Sequence, residues 1–129
     1  MGSKGKPYRT IVVEGFEILV GKGDAENDVL TFDVAAPEDL WLHVGGGISG
    51  SHVVVRNPEK HADLPRGIVQ RAAELAAWHS KAHDGGRVEV HACRVADVGK
   101  RRGAPAGEVV LRQSRRLRVY PRPYVPPRA

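Results

Sequence analysis

The sequence predicts an α+β fold: a single domain built on a mostly antiparallel sheet of about six or seven strands, with one principal helix packed on it. Three observations carry this expectation. Short stretches alternate apolar and polar side chains with a period of two, glycines and prolines separate them, and a single stretch after Pro65 places apolar residues three and four apart. The 129 residues suffice for one compact domain, and 41% apolar with 27% charged residues is the balance of a soluble globular chain.

Tyr8 to Glu14 and Phe16 to Val20 are β-branched and aromatic runs joined by Glu14-Gly15, which predicts a hairpin. The glycines at 21 and 23 interrupt the pattern, and Asp24 is placed to cap a short helix running toward Phe32. Asp39 to Val44 alternates, with Leu40, Leu42 and Val44 facing the core and Trp41 and His43 the other side, as in a strand covered on one face. The loop Gly45 to Gly50 leads to a second strand, Ser51 to Arg56, stopped by Asn57-Pro58. Ile68, Ala72, Leu75, Ala76, His79 and Ala82 predict a helix from Arg66 to His83, closed by Asp84-Gly85-Gly86. Alternation returns from Arg87 to Val95, and two short strands are expected near Glu108 to Leu111 and Leu117 to Tyr120. The expected organisation is a flexible N-terminus at 1–7, the domain at 8–120, and a Pro/Arg-rich tail at 121–129, extended or disordered because proline lacks the backbone donor.

Charge is segregated along the chain. Residues 1–99 hold 11 Lys/Arg against 14 Asp/Glu, net −3, whereas residues 100–129 hold 9 against Glu108 alone, net +8. Such a field attracts polyanions. Lys100, Arg101 and Arg102 form a compact basic loop, with Gly103, Pro105 and Gly107 shaping its turns, and Arg112, Arg115, Arg116 and Arg118 extend the field. No run reaches the roughly 18 apolar residues of a membrane span, no secretion signal opens the chain, and Cys93 has no partner cysteine, so a cytoplasmic protein without disulfides is expected.

His43 and His52 end and begin adjacent strands, and with Trp41 and Arg56 they form a candidate patch for stacking bases and contacting phosphate. Parity alone leaves the register open. The glycine loop lacks the Lys-Ser/Thr pair and following helix of a phosphate-binding loop. A metal site would have to recruit His79, His83, His91 and Cys93, and Ser51-His52 or Cys93 with His91 form no recognisable nucleophile arrangement, so no metal, no cofactor and no catalytic residue is expected. The rival reading is a small metal-dependent or histidine-based hydrolase, and a protein-binding adaptor with a basic surface is a third.

The stretches Asp39-Leu40-Trp41-Leu42-His43 and Gly50-Ser51-His52-Val53-Val54-Val55-Arg56 resemble the NFACT-R domain, the RNA-binding module of the NFACT ribosome quality-control proteins. Gly21-Lys22 with Asn27-Asp28, the helix from Ala72 to Ala82 with its Ser80-Lys81, and the loop from Val98 to Val109 are similar to further segments of that family, in family order across residues 8 to 121. The glycine loop departs from the family pattern by lacking its proline. The resemblance implies a non-enzymatic stand-alone member that binds RNA, tRNA or ribosomal RNA, with the ribosome as a further partner and no membrane. It implies a nucleic-acid-binding set of Lys22, Asn27, Asp28, Trp41, His43, Ser51, His52, Arg56, Lys81, Lys100, Arg101 and Arg102, to which the charge reading adds Arg112, Arg115 and Arg116; Asp39 and Gly50 carry the motif's architecture. DNA stays open as a ligand, since phosphate contacts do not distinguish it from RNA. The C-terminal tailing activity of full-length NFACT proteins depends on an N-terminal region, helix-hairpin-helix elements and a coiled coil that these residues do not contain.

Overall fold

The computed structural model describes residues 5–127; residues 1–4 of the expected flexible N-terminus and 128–129 of the expected tail lie outside them. In chain order the strands are β1 (Tyr8–Val13), β2 (Phe16–Gly21), β3 (Leu40–Val44), β4 (Val53–Val55), β5 (Val88–Arg94), β6 (Val98–Gly99), β7 (Val110–Leu111) and β8 (Arg115–Val119). A five-residue helix α1 (Asp24–Asp28) runs into a π-helical turn at Val29–Val34, and the long helix is α2 (Arg66–Trp78). Six strands form one sheet in the order β1-β2-β4-β3-β5-β8 with every neighbour antiparallel, and β6 and β7 form a separate ribbon. The expected α+β class and the single main helix are present.

Glu14 and Gly15 both take positive φ, 48° and 85°, the pair required by the hairpin turn whose twist matches that of the strands. Asp24 is the first residue of α1 and not its cap; Gly23 precedes it in extended conformation and no side chain caps the helix.

Leu40, Leu42 and Val44 do face the core, where they meet Ile18, Val20, Val53, Val55, Val90 and the alanine-rich side of α2. The opposite face is covered too. Leu30 from the π-helical turn and Val95 close over Leu19, Trp41, Val54 and Cys93, with Val98, Val109 and Leu111 of the ribbon packed against them. Trp41 is 1% exposed, so the one-sided strand read from the alternation is in fact the middle of three layers. The covering segment returns from more than fifty residues downstream, which local periodicity does not register.

The helix predicted to His83 stops at Trp78, five residues early. The backbone turns at His79 (φ −89°, ψ 40°) because the glycine loop competes for its hydrogen bonds. Ser51 N–H donates to the His79 carbonyl (2.9 Å), and Lys81 N–H donates to that of Ser49 (2.9 Å), bridging Gly50 to Ser80. The Ser80 hydroxyl donates back to the Ala77 carbonyl (2.7 Å) and accepts from Ala82 N–H (3.1 Å), closing the helix end. His79 and His83 therefore do not stand one turn apart on a helix. The described part of the tail is extended but docked: Arg71 donates to the carbonyls of Arg122 (3.2 Å) and Pro123, and Tyr124 packs on the core.

A Cβ at Gly50 would sit 2.7 Å from Ser80 Cβ and 3.0 Å from its Cα. Gly50→Ala is therefore expected to lower the urea midpoint, with a stability loss of about 1–3 kcal/mol. Gly67, on α2 with open space around it, gives the opposite sign: Gly67→Ala is expected to stabilise by about 0.5 kcal/mol through helix propensity and the less flexible unfolded chain.

Candidate nucleic-acid interface

The register that parity left open is set by the pairs Trp41↔Val54 and Leu42↔Val53, and it brings three of the predicted rings together. Trp41 lies 6.0 Å from His43 and 5.0 Å from His52, and the two imidazoles are 5.2 Å apart. They do not form an exposed platform. His52 is 1% exposed and hydrogen-bonded through both nitrogens, at 2.8 Å to Thr31 Oγ1 and 3.1 Å to the Gly107 carbonyl. A carbonyl only accepts, so Nε2 carries the proton and Nδ1 accepts from the Thr31 hydroxyl, which itself accepts from Trp41 Nε1–H at 3.2 Å. Burial, then the neighbouring His43, pushes His52 down to about 4 and keeps it neutral. With no free nitrogen it cannot serve as a general base. His43, half-buried with Nε2 3.3 Å from the Gly50 carbonyl, is also lowered by burial. Cys93, raised to about 11 by burial, stays a thiol.

Several other predicted residues face inward. The Asn27 amide donates to the Gly50 carbonyl (3.2 Å) and its oxygen accepts from His52 N–H (3.0 Å), bracing α1 against the glycine loop. The Ser51 hydroxyl donates to the Gly21 carbonyl (2.7 Å). Asp39 is buried, accepting from the backbone N–H of Ala36 (2.9 Å) and Asn57 (2.7 Å). Arg56 Nε lies 2.8 Å from Asp39 Oδ2, off the line of a hydrogen bond, so the contact is an ion pair. Arg56 thus shares the face of Trp41 but stands at the far end of the strands from His43 and His52.

The basic loop divides its charges. Lys100 Nζ donates to the carbonyls of Pro105 (2.6 Å) and Glu108 (2.9 Å) and lies 2.9 Å from Asp28 Oδ2, which engages all three ammonium donors. The other Asp28 oxygen accepts from Gly107 N–H (3.1 Å), and Gly107 holds φ +85° with Asp24 against it, a position suited to glycine. Arg101 and Arg102 are exposed at the tip without an ion pair among the described residues.

The arginines beyond the ribbon separate by strand parity. Glu89↔Arg118 and His91↔Arg116 are paired, which puts Arg116 and Arg118 on the sheet face that the ribbon covers, while Arg115 alternates with them toward the α2 side. The single basic face expected from the sequence therefore excludes Arg115. Arg116 Nε sits 3.1 Å from Glu89 Oε2, itself 3.1 Å from His91 Nε2. Arg112 is exposed at the ribbon's base, its N–H bonded to the Asp97 carbonyl (2.8 Å). Lys22 and Lys81 are exposed, Lys81 beside Ser49 and Gly50 where the glycine loop meets the end of α2.

Residues 6–113, which span the hairpin, the glycine loop, α2 and the basic ribbon, match the family described as NFACT protein RNA binding domain. The chain belongs to this family. It is 37% identical over 123 residues to the Rqc2 homolog RqcH of Bacillus subtilis and 38% identical over 117 residues to that of Streptococcus suis, covering 92% and 90% of this chain. It spans about a fifth of the length of these curated relatives, 21% and 20%. The solved C-terminal part of the fibronectin/fibrinogen-binding protein from Streptococcus suis superposes with a TM-score of 0.82 at 38% identity, over 92% of this chain and 47% of that one. Arg115 and Arg116 lie beyond the stretch matched to the NFACT family, whereas the loop Lys100 to Arg102 lies within it.

Two residues, one buried in the site and one exposed beside it, escape sequence reasoning. Thr31 sits in a helical stretch with no distinguishing pattern, and its role exists only because His52 and Trp41 converge on it. Trp78, 37% exposed, reads as one more apolar residue of an amphipathic helix until that helix is seen to end there.

A neutral buried His52 makes stability depend on pH. Its folded value of about 4 lies below the ordinary 6.5, so the unfolded chain binds more protons between these values. The stabilisation is complete above about pH 6.5 and is lost as pH falls toward 4. Denaturant titrations are expected to show a loss of about 2 kcal/mol between pH 7 and 5, with His43 and His79, lowered in the same direction, adding to it. His52→Ala is expected to weaken the fold at pH 7 and to flatten this dependence; an unchanged pH slope would remove His52 as its source.

Proposed function

We propose that this domain is a non-enzymatic RNA-binding module acting in the cytoplasm in ribosome quality control, on tRNA or ribosomal RNA, and that its primary phosphate contact is the guanidinium pair Arg101 and Arg102. One observation carries the assignment of this loop. Lys100 is held at three points, two carbonyls of its own loop and the Asp28 carboxylate at the end of α1, so the segment that presents the two arginines is fixed before any ligand arrives. A preformed pair of forked donors meets phosphate oxygens with little ordering cost. Arg116 and Arg118 lie on the sheet face that the ribbon covers, on the edge strand β8. Membership of an RNA-binding family and the +8 net charge of residues 100–129 support the same reading.

Lys100 then has a positioning role distinct from that of its neighbours. In anisotropy titrations of labelled tRNA, the Arg101→Ala, Arg102→Ala double variant is expected to bind more weakly across RNA sequences and to flatten the log–log salt slope by about 2. Lys100→Ala is expected to weaken binding and also to lower thermal stability, because the Asp28 carboxylate loses its partner. Unchanged affinity and salt slope in the double variant would rule out this loop as the contact, and equal binding to duplex DNA would remove the preference for RNA.

A further inference from the structure

The region where α2 stops carries a surface that the basic ribbon does not explain. Trp78, the last residue of α2, is exposed, although tryptophan is highly buried on average. Its ring meets His83 edge-on at 5.7 Å and 64°, leaving ring surface open to a second stacking partner. It lines a shallow hollow of about 240 Å³ with Lys81, His79, Ser49, Gly50 and Asp24. Lys81 is exposed, and the exposed Arg9 of β1 is close enough for its charge, after burial, to lower His79. His83 is paired with Asp84 at 3.3 Å.

The hollow is held in shape. The bridge between Gly50 and Ser80 joins the glycine loop to the helix end, and the Ser80 hydroxyl closes the last turn. The tryptophan ring is therefore mounted on a rigid corner and not on a mobile loop, with the Lys81 cation in the same hollow. An aromatic face beside positive charge matches a base attached to a phosphodiester, and it does so whatever the sequence, because every base has a π-face. A paired duplex keeps its bases stacked internally, so this surface fits single-stranded RNA.

We propose that Trp78, with Lys81 beside it in the same hollow, is a stacking platform for one unpaired nucleobase of single-stranded RNA, a second contact separate from the phosphate-binding ribbon. The inference rests on the RNA-binding reading above. It assigns the two contacts different ligands: the ribbon takes backbone charge from paired or unpaired RNA, and the Trp78 hollow takes an unstacked base.

The protein contains its own reporter. Of its two tryptophans, Trp41 is 1% exposed and Trp78 is 37% exposed, so quenching by a stacked base reads Trp78. Titrating the full chain with oligouridylate and with a blunt RNA duplex of equal charge, followed by anisotropy and by tryptophan emission, is expected to give quenching with oligouridylate only. Trp78→Ala is expected to lose about tenfold in affinity for oligouridylate while keeping its affinity for the duplex and its thermal midpoint. Trp78→Phe is expected to restore most of that affinity, as an aromatic face remains. Binding of oligouridylate without quenching, or an equal loss for both ligands in Trp78→Ala, would overturn the platform and leave the ribbon reading standing. Failure of every RNA to bind would overturn both.

Discussion

A neutral histidine sealed between three elements is the constraint on which this domain depends. His52 receives a hydrogen bond from Thr31 in the π-helical turn and gives one to Gly107 in the basic loop, while Trp41 completes the chain through the same threonine hydroxyl. Each hydrogen bond in the run has a single assignment of donor and acceptor, so the tautomer of His52 and the orientation of Trp41 are set together. Asn27 extends the chain to the glycine loop, and Asp28 extends it to Gly107 and Lys100. An unsatisfied member of such a buried chain would cost about 1–3 kcal/mol, which favours a single arrangement over alternatives.

This network converts residues that look like surface chemistry into internal supports. Trp41, His52, Asn27, Ser51 and Lys100 belong to types common in RNA-binding surfaces, yet each is engaged inside the protein. Their engagement is what leaves Arg101, Arg102, Lys81 and Trp78 in fixed exposed positions. The division is physical: a side chain whose donors are all satisfied by the fold does not gain by exchanging them for phosphate, whereas an exposed guanidinium without an acceptor does.

The glycine loop ties the end of α2 to the interior network. The loop meets the helix end at Ser80 on one side, and on the other its Gly50 carbonyl is held by Asn27 and His43. Gly50 is thus a fixed junction between the helix end and the interior network, and its lack of a side chain is what allows the chains to approach so closely.

Much of this fold was legible in the sequence because its signals are local. The hairpin at Glu14-Gly15, the alternation of Leu40, Leu42 and Val44, the onset of the helix after Pro65 and the basic loop between short strands all follow from neighbouring residues, and the order of motifs across residues 8 to 121 pointed to the family. The tertiary structure decided the rest. Helical periodicity from Arg66 continues past Trp78, but the glycine loop offers the backbone at 79–81 better partners, so the helix ends there. Alternation gave Trp41 and His43 to the surface, but a ribbon from far along the chain covers Trp41 and half-buries His43. Charge counting gave Lys100 and Arg101 the same role, but only the placement of Pro105, Glu108 and Asp28 shows that one ammonium is used within the fold, tying the loop to α1. Local sequence determines which backbone shapes and which faces are available; which donors remain free for a ligand depends on contacts between residues distant in the chain.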